Sequence, residues 1–247
     1  MLAGLTSEEL AAGLDAVAET VLEEAGVVHP PVDAFALAKA LGVVVAMDDQ
    51  QHGRARYVRL HRARTPRATI LLHSDPRAER RHWAVAHEIG EHVAPRAFRY
   101  LGVDPGEIFA GAREEVANRL AGRLLVPREW FAADAAACAW DLLELKTQYA
   151  TASHELLARR MLECGPPAII SIFDQGQVYF RRANVRGRVP PPSPAERECW
   201  QAVHRLGRPQ QRSAGARTIQ CWPVHEPEWK REILRTELDD PGIDQDF

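Results

Sequence analysis

The sequence predicts an α+β chain: helices packed on a small three-stranded sheet, then a helical segment, then a small α+β C-terminal part. Three observations predict it. Leu10, Leu14, Val17, Val21 and Leu22 recur at helical spacing. A β-branched run at residues 43–47 and two further strand-like runs, 54–60 and 68–73, lie close together in the chain. Residues 166–182, PPAIISIFDQGQVYFRR, read as a hairpin with Asp174-Gln175-Gly176 at its turn.

Thr6 or Ser7 can cap the first helix, over residues 6–25, where Glu8 and Glu9 suit the positive end of the helix dipole. Gly26 ends it. After the rigid connector His29-Pro30-Pro31, Asp33 caps a helix over residues 34–41 that Gly42 stops. Residues 43–47 form the first strand. Residues 54–60 and 68–73 form two more, separated by the polar segment 61–67. Asp75-Pro76 reads as a cap followed by proline at the first helical position, opening a helix that runs to Val93. A loop containing Pro95 and Gly102 follows. Asp104-Pro105 then opens a helix that continues through residues 114–125 and ends at Pro127. Shorter helices are expected at 128–135, 139–148 and 153–163. VPPPSP at 189–194 excludes helix and central strand and reads as a linker or docked polyproline segment. Beyond it come one helical stretch, one short strand near 219–222 and an acidic end. Trp200, Trp222 and Trp229 are expected to supply the small core of this part.

At 247 residues, 46% hydrophobic and 26% charged, the composition is that of a soluble globular protein with a sizeable core. No apolar run approaches the roughly 20 residues that span a bilayer, which excludes a transmembrane protein. The first residues carry acids and no basic cluster, unlike a secretory signal. Cys138, Cys164, Cys199 and Cys221 are widely spaced with no CxxC pair, which suits free thiols in the reducing cytoplasm rather than a disulfide framework. The formal charge of −3 conceals blocks. Residues 1–50 hold nine acids and one base. Residues 51–82 hold nine arginines and two acids, and residues 175–217 nine arginines and two glutamates. Such arginine stretches can steer an acidic partner or nucleic acid; solvated strand faces are the plainer reading.

Chemistry concentrates in Ala86-His87-Glu88-Ile89-Gly90-Glu91-His92. A helix advances about 100° per residue, so His87 and Glu91 share one face, the i,i+4 arrangement that presents two metal ligands. Glu88 is then placed to take a proton from a metal-bound water. The motif is HExxE-H: the second histidine of HExxH is replaced by Glu91 and arrives one residue late as His92. Two registers are open. In one, His87 and Glu91 are ligands and Glu88 is the base. In the other, Glu88 and His92 are the ligands. A solvated face of mixed His and Glu is the alternative to both. The later segment Glu114-Glu115-Val116-Ala117-Asn118 is helical, and its small residues would let a neighbouring helix approach closely enough for Glu114 to reach a shared metal. Against that stands an exposed first turn carrying Glu114 and Glu115. His73 ends a strand close in sequence to the motif helix and is a candidate partner of its ligands.

Four stretches in order resemble the ImmA/IrrE family of zinc metallopeptidases: Pro31-Val32-Asp33 leading to Leu41-Gly42 and a valine strand, Ile70-Leu71-Leu72, Ala86-His87-Glu88-Ile89-Gly90, and Glu114-x-x-Ala117-Asn118 continuing to Leu124-Leu125-Val126-Pro127. The resemblance implies a metallopeptidase-like domain over residues 1–128, with metal ligation by His87 and Glu114 and a base role for Glu88. Glu91 stands where the family has histidine. One histidine with two glutamates makes a harder, more anionic site, suited to zinc but also to manganese or iron. His92, Glu115, Asn118 and His73 are candidates for alternative or supporting roles. Residues 129–165 resemble the helix-turn-helix-like segment such proteins carry, where Arg159 and Arg160 could meet phosphates. Leu156, Leu157 and Met161 form a core stripe there, which favours scaffold or partner docking over direct nucleic-acid binding. Residues 166–247 form the third part.

The function implied is a cytoplasmic metal-dependent endopeptidase that cleaves a protein partner, a repressor-like transcriptional regulator, in stress-response or related systems. The alternatives are a decayed peptidase fold that binds or regulates, and a DNA-binding regulator. Arg54, Arg56 and Arg59, with Arg62 and Arg64, are the expected docking face for an acidic substrate segment on an edge strand.

Overall fold

The computed structural model describes residues 5–50, 53–60, 67–104, 106, 108–215 and 217–238, with the backbone alone at 59, 60 and 67. Helix α1 (Ser7–Glu24) begins where a capping box forms: the Thr6 hydroxyl accepts the Glu9 N–H at 3.1 Å, and the Glu9 carboxylate accepts the Thr6 N–H at 2.8 Å. Leu14, Val17, Val21 and Leu22 form its buried stripe. Asp33 caps α2 (Ala34–Ala40) by accepting the Phe35 N–H at 2.8 Å and the Ala36 N–H at 3.2 Å. Strands β1 (Val44–Met47), β2 (Ala55–Leu60) and β3 (Arg67–Leu72) make a sheet in the order β1-β3-β2. β1 runs parallel to β3, with Val45 beside Ile70, and β2 runs antiparallel, with Tyr57 beside Ile70. β2 therefore lies at an edge.

Helix α3 (Ala78–Tyr100) departs from the expected bounds at both ends. Asp75 does not cap a helix at Pro76. Its carboxylate accepts the Arg77 N–H at 2.8 Å, a local turn that delays the helix by two residues. At the far end the helix continues through Pro95, where a loop was expected. Proline removes only the hydrogen bond to the Glu91 carbonyl, and burial of Ala94, Ala97 and Phe98 around it outweighs that loss. Helix α4 (Ala110–Leu125) also starts later than expected, after Phe109. Asp104 instead accepts the Gly106 N–H at 2.8 Å and closes a turn; Pro105 lies outside the described residues.

Three helices follow: α5 (Arg128–Ala137), α6 (Leu142–Gln148) and α7 (His154–Cys164). The chain divides into two units, Met1–Phe131 with Gln148–Ser153, and Ala132–Thr147 with His154–Phe247. In the first unit, residues 148–153 return to the core: Tyr149 meets Phe131 edge-on at 5.4 Å, and the Thr151 hydroxyl donates to the Val32 carbonyl at 2.9 Å. A buried ion pair, Arg123 Nε to Asp15 Oδ1 at 3.0 Å, ties α4 to α1.

The second unit is built on an antiparallel sheet in the order β5-β4-β8-β7-β6. Its strands are β4 (Ala168–Asp174), β5 (Gln177–Ala183), β6 (Gln210–Ala214), β7 (Arg217–Pro223) and β8 (Arg231–Glu237). The β4–β5 hairpin turns at Gln175-Gly176, both at positive φ (48° and 81°), as a two-residue turn requires. Helix α8 (Pro194–Leu206) covers one face, where Phe173, Cys199, Val203, Ile219, Cys221 and Leu234 form a core. Three strands follow α8, not the single one expected. β8, REILRTE, escapes a period-two reading because Glu232, Arg235 and Thr236 are buried with Ile233 and Leu234. Trp222 is buried and Trp200 stacks on Phe173 at 4.4 Å, but Trp229 is 44% exposed in the β7–β8 connection and is no part of that core. Among the described residues no helix is long and apolar enough to cross a membrane.

Candidate metal centre

The site is made where α3 and α4 touch. A Cβ on Gly90 would stand 2.6 Å from the Ala117 carbonyl oxygen and 3.1 Å from its Cα, so only glycine permits this approach. His87 lies three residues before Gly90, and Glu114 three before Ala117. The contact therefore brings those two side chains into register: His87 Nε2 and Glu114 Oε2 are 3.6 Å apart. Glu91, one turn after His87, completes the group, and the three ligand atoms lie within 4.8 Å of one another. Two tetrahedral ligands at about 2.1 Å from one ion stand roughly 3.4 Å apart, so the His87–Glu114 separation suits a divalent cation with a small closure by Glu91. An imidazole with two carboxylates is a donor set for zinc, manganese or iron.

Asn118 orients the pair. Its Nδ2 donates to Glu114 Oε1 at 3.1 Å, which leaves Oδ1 facing His87 Nδ1 at 3.1 Å. A carbonyl oxygen only accepts, so His87 Nδ1 carries the proton and Nε2 presents its lone pair toward Glu114.

Glu88 points elsewhere. Only 8% exposed, it accepts the backbone N–H of Tyr57, on edge strand β2, at 2.6 Å. Burial pushes its carboxyl above the ordinary carboxylate range, reinforced by Glu91 and Glu114 and opposed by His87 and the Tyr57 N–H. His92, one turn on, meets Tyr57 by the other end: Tyr57 Oη and His92 Nδ1 are 2.9 Å apart. The ligand pair of the second register, Glu88 and His92, thus faces Tyr57, while His87, Glu91 and Glu114 converge on one another. Tyr57 is the residue the sequence reading missed. RARYVRL reads as a strand, but nothing local shows which helix crosses that edge.

The other candidates stand apart. Glu115 is exposed and pairs with Arg119 at 2.6 Å. His73 is exposed, with Nδ1 at 2.8 Å from the Ser74 carbonyl. Arg54 and Arg56 are exposed around β2; the side chain of Arg59, and all of Arg62 and Arg64, lie outside the described residues. The arginines considered for phosphates are engaged within the second unit. Arg159 donates to Glu155 at 2.8 Å and covers the Phe180 ring, and Arg160 is 1% exposed with Glu163 as partner.

The model of a peptidase family, described as the IrrE N-terminal-like domain, matches residues 38–162. Among solved structures, a Mycobacterium tuberculosis transcriptional regulator is similar in fold, with a TM-score of 0.65 and 16% identity over 93% of this chain and 80% of that one. No curated protein matches the sequence.

Proposed function

The chain belongs to the IrrE N-terminal-like peptidase family, and from that premise we propose that it is a cytoplasmic metal-dependent endopeptidase acting on a protein partner. The observation that carries the reading is the convergence of His87, Glu91 and Glu114 from two helices, with Glu88 buried on the same helix as two of them. His87, Glu91 and Glu114 hold the cation, zinc first, with manganese or iron admitted by the carboxylate-rich set. When bound, it supplies positive charge that polarises the scissile carbonyl and acidifies the attacking water. Glu88 takes the proton of that water and returns it to the leaving amide nitrogen, a role that a carboxyl of raised pKa serves near neutral pH. Asn118 keeps His87 in the tautomer that presents Nε2. Edge strand β2 aligns an extended substrate, and Arg54 and Arg56 favour an acidic segment. The substrate class is a repressor-like regulator; the fold likeness to a transcriptional regulator supports placing the protein in transcriptional control.

The test is cleavage of a co-encoded repressor-like protein by wild type and Glu88→Gln, each analysed for bound metal after purification without added metal. Full cleavage by the variant would sink the mechanism. One observation favours a second reading, a binding protein that keeps the fold: Glu88 already serves β2 as an acceptor. Under it the partner is bound uncut, and both forms behave alike.

A further inference from the structure

The second unit contains a cavity of about 560 Å³ that the peptidase reading does not use. It lies on the α8 side of the five-stranded sheet, closed by residues 185–194 and the start of α8. We propose that this cavity binds a small amphiphilic anion, an aliphatic carboxylate being the simplest case.

The cavity is held open by one guanidinium. Arg181 donates from Nε to the Pro190 carbonyl at 2.9 Å and from Nη1 and Nη2 to the two oxygens of Glu196 at 3.1 Å each, and Nη1 also reaches the Ser171 hydroxyl. Glu196 in turn accepts the Ser193 N–H and the Thr236 hydroxyl, each at 2.6 Å. The side chains of Arg181 and Glu196 are 9% and 4% exposed. This network pins the proline-rich strap over the sheet, and prolines leave the strap little freedom to fall inward.

The lining selects the ligand. Ile169, Ile219, Val185, Val189 and Leu238 give it an apolar floor and walls. Among the described residues the charged side chains of the lining are Arg181, Arg186, Arg188 and Arg217 against Glu196, a net of three positive charges. Glu196 is saturated by its donors; burial opposes ionisation, but those hydrogen bonds hold it below the usual carboxylate range. It therefore neutralises Arg181 and does not repel an incoming anion. Arg186 and Arg188 are exposed, at the rim. An apolar body can fill the interior while its acid group meets that rim, and the volume falls within the range of small-molecule sites. Among the described residues no aromatic ring lines the cavity, and these offer none of the stacking platforms of a single-stranded nucleic-acid groove.

Calorimetric titration of the full chain with decanoate, and with neutral decanamide, tests this. Saturable one-to-one binding of decanoate is expected, with decanamide about tenfold weaker. The double variant Arg186→Ala/Arg188→Ala should lose that difference without a change in Tm. Val185→Asp, which places an acid on the wall, should abolish decanoate binding. Absence of saturable binding, equal affinity for the acid and the amide, or an unaltered preference in the arginine variant would each overturn the proposal.

Discussion

In the second unit Glu196 and Glu232 sit among donors, whereas in the first unit Glu91 and Glu114 converge with His87 and Glu88 lies buried against the Tyr57 N–H. Glu232, fully buried, accepts the Trp200 indole N–H at 2.9 Å and meets His204 at 2.9 Å and His225 at 2.7 Å. Glu196 takes Arg181, Thr236 and the Ser193 N–H. Among the described residues no arginine or lysine pairs with Glu88, Glu91 or Glu114, whose neighbours are His87, Asn118 and the Tyr57 N–H. Buried acids that serve only the fold are satisfied by donors within it. Glu91 and Glu114, the latter 59% exposed at its side chain, carry a like-charge cost that a divalent ion would remove.

The largest effect expected is on chemistry. Glu88→Gln should retain bound metal and lose about 10²–10⁴-fold in cleavage of the partner, read by single-turnover proteolysis. Next comes Glu196→Gln, which leaves Arg181 buried without its counter-charge. It should cost about 3–5 kcal/mol in the unfolding of the second unit, measured by denaturant titration. The same carboxylate predicts a pH dependence. Its folded pKa lies below the ordinary 4.5, so its stabilisation is complete above that value and is lost as pH falls through the folded pKa. Glu196→Gln should therefore flatten the acid limb of the stability curve.

How much of this was legible beforehand divides along the same line. The ligand face of α3 could be read because i,i+4 spacing is local, and the caps at Thr6 and Asp33 because a cap is decided within four residues. The Tyr57–Glu88 contact joins residues 31 apart through the sheet edge, and no local pattern encodes it. Polar strands such as β8 hide their burial because Arg235 and Glu232 are satisfied by tertiary partners, Gln220 for one and Trp200 with two histidines for the other. Pro95 misled for the opposite reason, since packing overrode a strong local signal.

Smaller effects sharpen the comparison further. Gly90→Ala pushes α4 away from α3 and should cost about 1–3 kcal/mol by overpacking, with weaker metal retention after dialysis. Glu114→Gln should change sign with the metal. In metal-free protein it relieves like charge and raises stability by a few tenths of a kcal/mol. With excess zinc the wild type should gain about 2.7 kcal/mol at a hundredfold excess over Kd, and the variant much less. Destabilisation by Glu114→Gln in metal-free protein would break the contrast between the two units.

Asn118 gives the centre a built-in polarity that a single atom can reverse. Aspartate has the same shape as asparagine but offers an oxygen where Asn118 donates to Glu114. Asn118→Asp would keep the grip on His87 Nδ1 while turning attraction at Glu114 into repulsion. One isosteric exchange thus uncouples the two helices' ligands without enlarging or emptying anything between them, making position 118 a steric blank and an electrostatic switch.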